Sequence, residues 1–238
     1  MKLSTRSSIL AACLGLAALA APAQAQLTLS GSAYGTFADE MLPNTTVSNT
    51  TMTSVFSSGI PYRPFAPYND TQTSITYVGN TFAGVGDGEA IALGILDFKN
   101  GVTLLGSTAT SATMDLILDL STVGGPADFK LSTLSFSLTN TDNNGVDDVA
   151  DLYSISYTDP AVLWLEDAKV TFSLVFTDGA FLTADGKAVN ENGEVTTGDI
   201  YANIMITPIP EPSTYAFAGV AVIGLVALLR RRRNPLAA

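Results

Sequence analysis

From about residue 73 to residue 207 the chain alternates apolar and polar side chains with a period of two. Met114, Leu116, Leu118 and Leu120 alternate with Thr113, Asp115, Ile117 and Asp119. Leu134, Phe136 and Leu138 alternate with Ser135, Ser137 and Thr139. Tyr153, Ile155 and Tyr157 are spaced by Ser154 and Ser156, and Val170, Phe172, Leu174 and Phe176 by Thr171, Ser173 and Val175. Ile200, Ala202, Ile204 and Ile206 close the series. Successive side chains of a strand point to opposite faces, so this pattern predicts antiparallel strands with one face buried. Asn100-Gly101, Gly124-Gly125-Pro126, Asn144-Gly145, Asp178-Gly179, Asp185-Gly186 and Asn192-Gly193 supply turns between the runs. No amphipathic helix longer than two turns interrupts them. The expected fold is all-β, an antiparallel β-sandwich or jelly roll over 73–207. Residues 26–72 are rich in Ser, Thr and Asn, and are expected to form one strand over 27–37 and a long loop over 39–69.

Two apolar runs lie outside this alternation. Lys2 and Arg6 precede an uncharged stretch over 9–20, and Pro22 and Ala23-Gln24-Ala25 follow. A positive start, a short apolar centre and small residues at −3 and −1 predict a secretory signal helix over 1–25, cleaved after Ala25. Leu10-Ala11-Ala12-Cys13 also reads as a lipobox, which would lipidate Cys13. At the other end, Pro208-Ile209-Pro210-Glu211-Pro212 cannot be helical. The uncharged segment 213–229 comes next, then Arg230, Arg231, Arg232 and Arg233. Seventeen helical residues rise about 25 Å, enough for a short transmembrane helix. The arginines place its far end in the cytoplasm. The signal peptide predicts the same orientation independently.

Between the two ends, residues 26–212 carry all 22 acidic residues of the chain against Arg63, Lys99, Lys130, Lys169 and Lys187, a net charge of −17. Such a surface disfavours nucleic acid and favours divalent cations. The single cysteine leaves with the signal peptide, so the domain is held by its core or by bound metal and not by disulfides. The chain has no histidine, which excludes Ser-His-Asp catalysis and histidine-ligated zinc.

The order Pro210-Glu211-Pro212, apolar helix, arginine cluster resembles the PEP-CTERM sorting signal over 208–233. The resemblance implies an exosortase as partner, removal of the helix near the Pro-Glu-Pro box, and delivery to the surface or extracellular matrix of a Gram-negative bacterium that makes exopolysaccharide. A permanent single-pass anchor is the alternative. Leu93-Gly94-Ile95-Leu96-Asp97-Phe98-Lys99-Asn100-Gly101, the run 112–120 and Asp199-Ile200-Tyr201-Ala202-Asn203-Ile204 together resemble choice-of-anchor K ectodomains. That likeness implies a β-rich fold and no known chemistry.

One loop carries candidate metal chemistry. Asn140, Asp142, Asn144, Asp148 and Asp151 stand at positions 1, 3, 5, 9 and 12 of a twelve-residue stretch, with Gly145 at 6 and the Val146 carbonyl at 7. Ca²⁺ takes six to eight oxygens at about 2.4 Å, and this spacing can wrap one ion. The pattern resembles the calcium loops of thrombospondin type 3 repeats. The same stretch also reads as a polar turn between two strands.

Three other groups offer less. Asp115 and Asp119 lie about 13 Å apart along one strand, too far for a glycosidase pair. Trp164 followed by Glu166-Asp167 reads as a core aromatic and a solvated turn, or alternatively as part of a sugar-binding cleft. Gly84-Val85-Gly86-Asp87-Gly88 has no helix after it, so it is a flexible loop and not a nucleotide site. The expected function is a non-enzymatic surface or matrix protein handled by signal peptidase and an exosortase. The alternatives are a carbohydrate-binding module and a carboxylate-dependent hydrolase.

Overall fold

The computed structural model describes residues 27–38, 42–61, 72–101, 103–139, 151–177, 187–190 and 195–209, with 219–220, 223–224 and 226 further on. The strands in chain order are β1 (Leu29–Phe37), β2 (Thr45–Asn49), β3 (Thr53–Ser58), β4 (Thr73–Gly79), β5 (Thr81–Val85), β6 (Ala90–Lys99), β7 (Ser111–Asp119), β8 (Phe129–Thr139), β9 (Asp151–Tyr157), β10 (Ala161–Trp164), β11 (Ala168–Thr177), β12 (Lys187–Asn190) and β13 (Val195–Pro208). One sheet has the order β12-β9-β8-β7-β1-β5 and the other β10-β11-β13-β6-β4-β3-β2. Every pairing is antiparallel. The fold is all-β and sandwich-like, as the alternation predicts.

The inward rows are those of the sequence. Met114, Leu116, Leu118 and Leu120 from one sheet, and Val170, Phe172, Ile200 and Ala202 from the other, are buried together. Aromatic contacts join the layers: the Phe98 ring on β6 stacks on Tyr153 of β9 at 4.0 Å, and Phe129 meets Phe172 at 5.6 Å. Strand β6 changes phase midway. Ile91 and Leu93 are buried, then Leu96 and Phe98, because a bulge opposite Ile200 and Tyr201 inserts Leu93 as one extra residue between the paired Ala92 and Gly94.

The N-terminal segment departs from the expected long loop. Residues 45–49 and 53–58 form a hairpin, β2–β3, that extends the seven-stranded sheet beside β4. Its inward positions are filled by serines as well as by Phe56. Ser54 Oγ donates to the Gly35 carbonyl at 2.6 Å, and Ser58 Oγ accepts from the Ala109 N–H at 2.6 Å. Both serines are fully buried, and each hydroxyl has the partner that burial demands. Strand β1 pairs in one sheet and β2–β3 in the other, so this segment is part of the sandwich.

The signal helix expected over 1–25 lies outside the described residues. Within 213–229 the described residues Gly219, Val220, Ile223, Gly224 and Val226 are helical. Among the described residues, no helix is long and apolar enough to cross a membrane.

Candidate functional site

Strand β13 is the structural root of the C-terminal tail. It runs between β11 and β6 near the middle of its sheet and is the longest strand described. Its pairing with β11 continues to Ala168↔Pro208, and the Ile209 N–H still donates to the Asp167 carbonyl at 2.8 Å. On its other flank, β6 pairs only as far as Ala90↔Asn203. The β5–β6 loop takes over there: Gly88 N–H donates to the Ile204 carbonyl, Ile204 N–H to the Glu89 carbonyl, and Ile206 N–H to Asp87 Oδ1 at 2.7 Å. The expected free loop at 84–88 is therefore tied down, with Gly86 N–H also bonded to Glu89 Oε2 at 2.7 Å.

The turn that holds Ile209 carries an exposed aromatic. Trp164 ends β10 and is 67% exposed, so it is not the core aromatic its sequence context suggests. In a strand of four residues the buried position goes to Leu163, and Trp164 must face outward. Lys169 is its cross-strand partner, and the ammonium lies 5.6 Å from the ring centroid. Val162 and Met205 share this outer face, two strands apart, with Thr171 between them. Glu166 and Asp167 are exposed in the turn, as expected.

Residues 208–233 match the family described as the PEP-CTERM protein-sorting motif. The chain carries an exosortase-sorting tail. The PEP-CTERM motif implies a secreted, cell-surface-directed protein of a Gram-negative bacterium. None of the curated proteins compared with the chain matches it. The first two residues of the PEP-CTERM match, Pro208 and Ile209, belong to the folded domain.

The rest of the PEP-CTERM motif, with Pro210, Glu211, Pro212 and Arg230, Arg231, Arg232 and Arg233, lies outside the described residues or in the short helical pieces. Ala23 and Ala25 lie outside them too. So do Asn140, Asp142, Asn144, Val146 and Asp148 of the candidate calcium loop, while Asp151 opens β9. Among the described residues, no cluster of three or more Asp or Glu could hold a metal.

Asp115 and Asp119 are both engaged by neighbours. Asp115 Oδ1 accepts from Lys130 Nζ at 2.7 Å and from Thr133 Oγ1 at 2.8 Å. Asp119 Oδ1 accepts from the Ser121 N–H at 2.9 Å, and the Ser121 hydrogen bonds hold its carboxyl below the usual range. Sequence reasoning missed the two groups that fix the tail's root, the Asp167 carbonyl and the Asp87 carboxylate. Neither stands in a recognisable motif, since each acts through its position in a turn.

Proposed function

We propose that the protein is a non-enzymatic component of the cell surface or extracellular matrix, associated with exopolysaccharide. On this reading it reaches that place by way of a transient inner-membrane anchor with a cytoplasmic C-terminus. The observation that carries the reading is the continuity of β13 with the sorting motif, which leaves no separate domain between fold and tail. The likeness of 74–207 to choice-of-anchor K ectodomains agrees with a domain whose task is to be displayed. Mass spectrometry of the surface-localised protein is expected to find a C-terminus near Pro212, without Arg230–Arg233. Replacing Pro210-Glu211-Pro212 by three alanines should leave the full-length precursor in the membrane fraction. Recovery of the intact arginine cluster at the surface would contradict processing.

A second reading, a carbohydrate-binding module, is favoured by Trp164. An exposed indole on a sheet face, with Lys169 opposite it and Thr171 and Thr207 on the neighbouring strands, offers a stacking platform bordered by hydrogen-bonding groups. Affinity electrophoresis in the host's exopolysaccharide is expected to retard the wild type, and Trp164→Ala should abolish the retardation. Equal mobility of the two would remove this reading.

The loop from Asn140 to Asp151 is proposed to bind Ca²⁺ through Asn140, Asp142, Asn144, the Val146 carbonyl, Asp148 and Asp151. Weak binding in the millimolar range suits an extracellular module. Several millimolar Ca²⁺ is then expected to raise the melting temperature, and Asp142→Ala to erase the rise. A melt insensitive to Ca²⁺ in the wild type would end the proposal.

A further inference from the structure

Covalent geometry limits how far the domain can stand from the apolar segment. Ile209 is held in the fold, and Ser213 opens the uncharged run, so four virtual bonds separate them. At about 3.3–3.6 Å each, the gap is at most about 14 Å. A folded domain of 100 residues already has a radius of gyration of about 13 Å. An enzyme that acts on Pro210-Glu211-Pro212 cannot fit between domain and membrane without touching the domain end beside the motif.

What borders the motif there is defined. The β10–β11 turn hydrogen-bonds Ile209 directly, and it displays Trp164, Glu166 and Asp167 to solvent. On the opposite flank of β13 the β5–β6 loop exposes Asp87 and Glu89. Glu166 and Asp167 thus stand in the turn beside the exit of the tail, Asp87 and Glu89 lie farther back along β13 at Ile206 and Ile204, and the Lys169 ammonium is held against the Trp164 ring. We infer that the β10–β11 turn, with Trp164, Glu166 and Asp167, is a docking surface for the exosortase that processes the adjoining motif, and that the enzyme meets this acidic turn with basic groups. The inference rests on the reading of 213–229 as a membrane helix. The short tether names the enzyme as occupant, and charge argues against the bilayer, since an acidic turn is repelled by anionic headgroups. The exposed indole is the residue type that anchors such an interface.

A photo-crosslinking amino acid at position 164 tests this in cells that carry an inactive exosortase. The expected result is an adduct with the exosortase from position 164 and none from position 105. Leu105 is exposed beyond the end of β6 that pairs with the start of β13, so it lies at the opposite end of the sandwich. Adducts with lipid alone, or no adduct from position 164, would overturn the inference. In cells with active enzyme, the exposed double variant Glu166→Lys, Asp167→Lys is expected to convert precursor to mature protein roughly threefold more slowly, with an unchanged melting temperature. A ten-residue Gly-Ser spacer between Ile209 and Pro210 should abolish that difference. Equal conversion of wild type and double variant at the natural spacing counts against the docking surface. Alkaline extraction of the wild-type precursor separates the two readings. A precursor released by carbonate removes the membrane helix; a retained precursor without an adduct removes the docking surface alone.

Discussion

Unfolding is expected to become steeply pH-dependent above pH 10. Burial pushes the Tyr77 and Tyr153 hydroxyls well above the usual phenol range. In the unfolded chain both titrate near pH 10. Above that pH the unfolded state has lost protons that the folded state keeps. Stability therefore falls as pH rises, and the contribution is fully present only below pH 10. Each tyrosine removes about 1.4 kcal/mol per pH unit, so the pair removes about 2.7 kcal/mol per unit while both stay protonated in the fold. Two units of pH are enough to exhaust the lower end of the usual 5–15 kcal/mol of domain stability, on the order of which this protein is expected to lie. Tyr34 adds less. Desolvation and then the hydrogen bond to Asp128 push it up to about 12, but its ring is half-exposed and its neighbours are screened.

Urea titrations at pH 8, 10 and 11, followed by far-ultraviolet circular dichroism, measure this slope. Fluorescence is the poorer probe, because the only tryptophan is already exposed in the native state. Tyr77→Phe is expected to cost about 1 kcal/mol at pH 8, since the Tyr77 hydroxyl donates to the Leu93 carbonyl at 2.7 Å. The same variant should lose half of the pair's alkaline slope. An unchanged slope in Tyr77→Phe would show that other groups govern the alkaline transition.

Gly79→Ala is expected to destabilise the domain by about 3 kcal/mol, with a fall in melting temperature of roughly 6–12 °C. Gly79 ends β4 where β1 of the other sheet crosses it. A Cβ there would stand 2.0 Å from the Ala33 carbonyl oxygen. Backbone crowds the site from several sides. Ala33 N–H donates to the Asn80 carbonyl at 2.8 Å, and Gly79 N–H to the Met52 carbonyl at 2.7 Å. The two sheets are bonded main chain to main chain at this point, so the added methyl cannot be absorbed by a rotamer change. Its cross-strand partner is Gly94, where a Cβ would meet the Val78 carbonyl oxygen at 2.3 Å. The exposed neighbour Val78→Ala is the control and should shift stability by less than about 1 kcal/mol. Equal melting of Gly79→Ala and wild type would mean that the sheets separate at this corner without cost.

How far the sequence could be read depended on what fills the inward positions. Strands β7, β11 and β13, and β8 from Thr133 onward, bury mainly apolar side chains at alternate positions, so their faces are plain from the residues alone. The β2–β3 hairpin buries Ser54 and Ser58 instead. Their partners are the Gly35 carbonyl and the Ala109 N–H, which lie 19 and 51 residues away. Side-chain chemistry that is satisfied only by distant backbone leaves no local apolar pattern. Trp164 shows the opposite failure. A large aromatic invites burial, but a four-residue strand has two faces and Leu163 takes the inner one. The sorting motif was legible because it depends on order and composition and not on distant contacts. The anchoring of its first residues by Asp167 was not legible, since a main-chain carbonyl has no signature in the sequence.

The route of β13 also sets how the protein bears load. If the processed chain is held to the surface through its C-terminus, tension enters at Ile209, held there on the β11 side alone, and from Ile206 inward runs along a strand flanked on both sides. The β11 ladder, the β6 ladder and the β5–β6 loop then resist together, in shear, and no single bond can be peeled ahead of the others. An edge strand at the same attachment point would unzip one hydrogen bond at a time. A fold tethered in that way would hang from a strand near the middle of its sheet and not from an edge.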